Sequence, residues 1–172
     1  GTKQMRLLGL DPGLRVTGWG MIDVEGARLR WVADGVVRSQ SDDMLSDRLA
    51  ALHRGIVEII LHYQPDEAAI ERTFVNMNPE STLKLGQARG AVIVAAALAG
   101  LDVAEYAPTE VKQAVVGTGR AAKEQIGMMV RHLLPGCQVG QADAADALAV
   151  AICHAHRRGP AGRLGALLEK RR

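Results

Sequence analysis

The hydrophobic residues of this chain first change period near residue 44, and that change restricts its fold more than any other feature. Before it, apolar residues come in short strand-like runs. Met5–Leu10 is almost unbroken and ends in Asp11-Pro12-Gly13, the pattern of a buried strand entering a tight turn. Gly18–Val24 and Leu29–Arg38, rich in Trp, Val and Ile and separated by Glu25-Gly26, predict two further strands. Three strands with short connections make an antiparallel meander. After residue 44, Leu45, Leu49, Leu52, Ile56, Ile59 and Ile60 recur at helical spacing through Met44–Tyr63, and Pro65 stops that helix.

A short strand, Glu67–Glu71, follows. A second helix opens with Asn78 as N-cap, Pro79 in the first turn and Glu80 behind it, and runs to about Gly100 as C-cap. Asp102–Tyr106 is a fifth strand. Helices are expected near Thr109–Val116 and Lys123–Leu134, then an Ala-rich helix over Ala142–His156. The order predicts an α/β fold: a five-stranded mixed sheet, its first three strands antiparallel and its later ones reached by helical crossovers. That is the ribonuclease H-like architecture.

At 172 residues the chain suits one domain, over 5–156, and residues 1–4, ahead of Met5, read as a cloning remnant. No apolar run reaches membrane-span length, Ala91–Ala99 coming nearest, and Met5–Leu10 is too short for a secretory signal. Cys137 and Cys153 are isolated, which points to neither a zinc site nor a disulfide framework, and a cytoplasmic protein is expected. The formal net charge is only +2, but it is unevenly spread. Residues 157–172 hold six of the 21 Lys and Arg residues and one of the 19 acids, so the body carries 15 basic residues against 18 acidic ones. A basic tail on a mildly acidic body suits a DNA binder with a carboxylate-rich site, and equally a disordered, solubilising tail.

Four acids stand out by their surroundings. Asp11 ends the first strand and Glu71 the fourth. Asp143 and Asp146, three apart on a helix of Ala, Leu, Val and Ile, share one face. If the first and fourth strands are neighbours, Asp11 and Glu71 emerge at one edge, where the last helix can add two carboxylates. Carboxylates gathered in apolar surroundings repel one another and are costly to bury. A divalent cation removes both problems, and oxygen-only ligands favour Mg²⁺ or Mn²⁺ over zinc. Two ions sharing carboxylates are a recurrent device for in-line phosphodiester hydrolysis. Singly, each acid has a plainer explanation as turn former, solvated helix stripe or strand end. Their joint placement at strand ends shifts the balance.

LGLDPGLRVTGWG (8–20), AAIERTFVNMNPESTLKLGQARG (68–90), VKQAVVGTGRAAKEQI (111–126) and QADAADALAVAI (141–152) each resemble stretches of the RuvC Holliday junction resolvases, in order and across Met5–His156. The resemblance implies a bacterial, cytoplasmic crossover junction endodeoxyribonuclease acting in recombination and repair. Its four catalytic, metal-binding carboxylates would be Asp11, Glu71, Asp143 and Asp146, holding two Mg²⁺ ions, with Mn²⁺ as a substitute. It implies a homodimer that makes paired symmetric nicks in four-way junction DNA, leaving 5′-phosphate and 3′-hydroxyl ends. It also implies cooperation with the branch-migrating RuvA–RuvB motor. A twofold substrate is most simply met by a C2 dimer. Gly86 and Gly90 would let another backbone approach the second helix, either from a partner or from the chain's own sheet.

DNA contacts are expected from Phe74, just past Glu71, which the resemblance turns from a loop anchor into a base-stacking residue. Lys84 and Arg89 near the start of the second helix, and Lys112, Arg120 and Lys123 around Gly117-Thr118-Gly119, are the basic candidates. Lys112 and Lys123 rank first because they align with basic positions of the family. The five His residues keep no ligand spacing with the acids. The 141–149 block argues against RNA-strand-specific ribonucleases and YqgF-like resolvases. Actin- and hexokinase-like phosphotransferases need two such domains. A non-catalytic junction binder would have no use for carboxylates beside phosphate.

Overall fold

A computed structural model describes residues 3–72, 78–117 and 123–158. In chain order the elements are β1 (Met5–Asp11), β2 (Val16–Glu25), β3 (Arg28–Arg38), α1 (Leu45–Tyr63), β4 (Glu67–Glu71), α2 (Pro79–Leu98), β5 (Val103–Tyr106), α3 (Pro108–Val116), α4 (Lys123–Leu133) and α5 (Ala142–Arg158). The sheet order is β3-β2-β1-β4-β5. β1 pairs antiparallel with β2, and β2 with β3. β1 with β4 and β4 with β5 are parallel. The predicted meander and the adjacency of β1 and β4 are both present, and the fold is ribonuclease H-like.

Strand residues alternate between the two faces of the sheet. Leu8, Leu10, Trp19, Met21, Ala68 and Ile70 face α1 and α2, where they meet Ile56, Ile60, Val92, Ala95 and Ala96. Leu7, Ile22, Val24 and Ala69 face the other way, into the core built with α3, α4 and α5. α5 is the most deeply set helix, with every residue from Ala147 to His154 buried.

Local chemistry sets the ends of the elements. The Asn78 side chain accepts the Ser81 N–H, and Pro79 occupies the first turn of α2. α1 ends at Gln64, held left-handed at φ 53° just before Pro65. α3 begins at Pro108 rather than Thr109, because the ring pre-sets the helical φ and the Glu110 carboxylate takes the Ala107 N–H at 3.0 Å. α2 is capped by Ala99, and the expected cap Gly100 lies one residue further on with φ +84°. α5 extends past His156 to Arg158 because Arg157 pairs with Glu110 (3.5 Å) and Arg158 with Glu67 (2.9 Å).

Candidate active site

The strand alternation decides which way the acids face. Leu7 and Gly9 of β1 lie toward α5, and Asp11 is next in that series; in β4 the same holds for Ala69 and then Glu71. β1 and β4 run parallel with Leu10 level with Ile70, so Asp11 and Glu71 are the next residues of neighbouring strands at one sheet edge. Asp11 pairs across the other side with Gly18 of β2.

α5 is brought to this edge by missing side chains. A Cβ on Gly18 would lie 2.0 Å from the Asp143 carbonyl oxygen, and one on Gly9 would lie 1.9 Å from that of Ala147. A Cβ on Gly20 would run into the Leu148 side chain at 2.6 Å. The helix backbone therefore rests directly on β1 and β2, with its first turn beside Asp11. Asp143 sits over Gly18, and Asp146 follows one turn later. All four acids are partly buried. Asp143 lies in the first turn of α5, where the helix dipole favours negative charge.

Between the sheet edge, α3 and α5 lies a cleft of about 240 Å³ that includes Glu71, Lys112, Ile126 and Asp146 in its lining. A second groove of about 330 Å³, lined in part by Gly127, Arg131 and Gln141, shares Asp146 with it. Lys112 thus stands in the cleft of two of the acids. Among the described residues, no three His, Cys, Asp or Glu side chains lie in an arrangement that could hold a metal ion. The donor chemistry of these acids, carboxylate oxygens carried by β1, β4 and the first two turns of α5 with no thiol or imidazole among them, is that of ligands for a hard divalent cation.

The other expected contacts fare differently. Phe74 and Arg120 lie outside the described residues; Lys123 opens α4, but its side chain lies outside them too. Lys84 is exposed and pairs with Glu80 one turn back, at 3.2 Å. Arg89 is 16 % exposed and turned inward: its guanidinium pairs with Glu105 of β5 and donates to the Glu71 carbonyl at 3.4 Å.

A polar cluster at the far end of α5 was not anticipated from the sequence. Tyr106 Oη lies 2.6 Å from His154 Nδ1, and His154 Nε2 lies 2.8 Å from Glu67 Oε1, which also accepts from Arg158 Nε at 2.9 Å. Burial pushes the His154 imidazole below its ordinary pKa and the Tyr106 phenol up to about 12. Burial works against the Glu67 carboxylate, but the hydrogen bonds from Arg158 and His154 hold it below its usual range. A neutral His154 that accepts the Tyr106 proton at Nδ1 and donates from Nε2 to Glu67 satisfies every group. The signal was present, since His154 and Arg158 are one turn apart and Glu67 shares the α5 face of β4 with Glu71. Nothing in the sequence sets those two elements against each other.

The fold and its acidic edge define a nuclease of the ribonuclease H-like class. The family profile of "Crossover junction endodeoxyribonuclease RuvC" matches residues 7–154. A RuvC from Paramagnetospirillum magneticum is 68% identical over 155 residues, covering 90% of this chain and 93% of the relative. One from Rhodospirillum rubrum is 68% identical over 157 residues, covering 91% and 93%. The solved structure "T. thermophilus RuvC in complex with Holliday junction substrate" superimposes with a TM-score of 0.84 at 36% identity, covering 94% of this chain and 96% of that one. The yeast mitochondrial Holliday junction resolvase Ydc2, 12% identical with a TM-score of 0.64 over 88% of this chain and 79% of its own, shares the fold. The chain belongs to the RuvC family of crossover junction endodeoxyribonucleases, and membership implies dependence on a divalent metal.

Proposed function

We propose that this enzyme resolves four-way DNA junctions as a homodimer, each subunit nicking one strand with Asp11, Glu71, Asp143 and Asp146 as metal ligands. The observation that carries this reading is the meeting of β1, β4 and α5 at one sheet edge, with Glu71, Asp146 and Lys112 lining one cleft. Two Mg²⁺ ions, or Mn²⁺ in their place, would supply charge neutralisation and water activation at that edge. The chain's own groups do the rest. The strand ends hold Asp11 and Glu71, and the first two turns of α5 carry Asp143 and Asp146. Lys112 offers a cation to the phosphodiester on the α3 side. Phe74 and Lys123 belong to the reading as DNA contacts through the family resemblance, and Lys84 and Arg120 through their charge and place in the sequence.

The dimer reading is supported by α2. Its Leu83, Val94 and Leu98 are exposed, and Cβ atoms on Gly86 and Gly90 would meet no described atom within 4 Å. Those glycines therefore do not serve packing on the chain's own sheet; their face is open to a second backbone. A cytoplasmic location and cooperation with RuvA–RuvB rest on family membership; among the described residues no helix is long and apolar enough to cross a membrane.

The decisive assay is cleavage of a synthetic four-way junction, beside linear duplex, with Mg²⁺, Mn²⁺ or EDTA. Wild type should nick the junction in symmetric pairs, and EDTA or Asp143→Asn should abolish nicking while binding persists. Junction binding without cleavage under either metal would leave a structure-specific binder. Cleavage of an RNA–DNA hybrid instead would move the chain to another nuclease branch.

A further inference from the structure

The geometry points to Arg89 as a positioning residue that holds the end of β4, and with it Glu71, by supplying a hydrogen-bond donor that the sheet cannot. The inference rests on the reading of Glu71 as an active-site carboxylate.

β4 bonds to two neighbours, with alternate residues turned to each. The Arg72 N–H donates to the Tyr106 carbonyl of β5 at 2.7 Å, so the backbone of Glu71, one residue earlier, faces β1. The β1–β4 register ends at Leu10 level with Ile70. Were the parallel ladder to continue, the Glu71 carbonyl would accept from the N–H of residue 12. Residue 12 is proline and has none. The turn that frees Asp11 to face α5 thus removes the ladder donor for the neighbouring strand end.

Arg89 comes from α2, on the opposite face of the sheet, and reaches that carbonyl at 3.4 Å. Its guanidinium is anchored by the Glu105 carboxylate, which lies on the same face as α2. Its Nε is the one buried side-chain nitrogen or oxygen among the described residues with no hydrogen-bond partner. Burying a guanidinium with a donor unmet is unfavourable, and the two contacts it does make are both at the end of the β4–β5 pair. A planar fork can serve a carboxylate and a carbonyl at once; an ammonium, as a point donor, cannot do so in the same geometry. A phosphate contact would instead ask Arg89 to leave both partners.

The test compares wild type with Arg89→Gln, Arg89→Lys and the surface-side change Glu105→Gln, which leaves the core untouched. Three quantities are read: amide exchange at Arg72, Mn²⁺ affinity by calorimetry, and junction affinity against salt beside the single-turnover cleavage rate. Positioning predicts that Arg89→Gln speeds Arg72 exchange about tenfold, weakens Mn²⁺ binding severalfold and slows cleavage about tenfold. Junction affinity should stay within about twofold, with an unchanged salt slope. Arg89→Lys should fail to rescue, and Glu105→Gln should shift the same readouts about threefold. Unchanged Arg72 exchange overturns the inference. So does a salt slope shallower by about one unit together with rescue by lysine, the signature of a phosphate contact. If wild type cleaves no junction, the functional reading fails, while the Arg72 exchange still decides the clamp.

Discussion

At the scale of single residues, the site depends as much on absent atoms as on carboxylates. Gly18 is the sharpest case, since any side chain there meets the backbone of Asp143 rather than a movable group. Gly18→Ala should lower stability by at least about 1–3 kcal/mol, the usual cost of forcing atoms into a packed interior. Because the strain falls on the first turn of α5, cleavage should drop further than the lost stability alone explains. Thermal melting beside single-turnover cleavage at a temperature where the variant is folded checks this. A variant that melts like wild type would mean that α5 is less firmly seated than its contacts indicate.

At the scale of elements, α5 is fastened at both ends: its N-terminal turn rests on glycine, and its C-terminal turn is tied through His154, Arg158 and Glu67 to β4. The tie has a pH dependence whose sign follows from burial. His154 has a folded-state pKa below its unfolded value of about 6.5, so the native state binds fewer protons there. The resulting stability is complete above about pH 6.5 and is lost as pH falls through the lowered folded value. Melting temperature should therefore fall from pH 7 to pH 5 more steeply in wild type than in His154→Gln, and equal slopes would count against a neutral His154. Much of this arrangement could be read from the chain. Strand ends betray themselves where an apolar run meets Pro-Gly or stops at an acid, so Asp11 and Glu71 were visible, and the i, i+3 spacing exposed Asp143 and Asp146. What could not be read was partnership across the sheet. Arg89 looks like any basic residue of a helix until Glu105 and the Glu71 carbonyl are placed beside it, and His154 looks idle until Tyr106 arrives.

At the scale of the whole molecule, the two faces of the sheet divide the labour. One carries α5 and the acidic edge; the other carries α2, whose outer side exposes Leu83, Val94 and Leu98 around Gly86 and Gly90. Leu83 and Leu98 are 63% and 77% exposed, unusual for large aliphatic side chains flanking two glycines on one helix. Leu83→Glu should shift the sedimentation profile from dimer to monomer and uncouple the two nicks of a junction, leaving single-nicked products. A variant that still sediments as a dimer would send the search for the interface to another face.

The three contact glycines also act as a vernier. Gly9 and Gly20 lie opposite each other in the ladder, under the turn at Ala147 and Leu148, while Gly18 lies two residues along β2, under Asp143. Two residues of strand advance about 6.7 Å. Four residues of helix advance about 6 Å. The two scales nearly coincide over that interval, so successive turns drop into successive gaps and a slip of one or two residues would set backbone against side chain. The spacing between the acids on the sheet and those on the helix is thus read off two covalent rulers, and requires no side chain to gauge it.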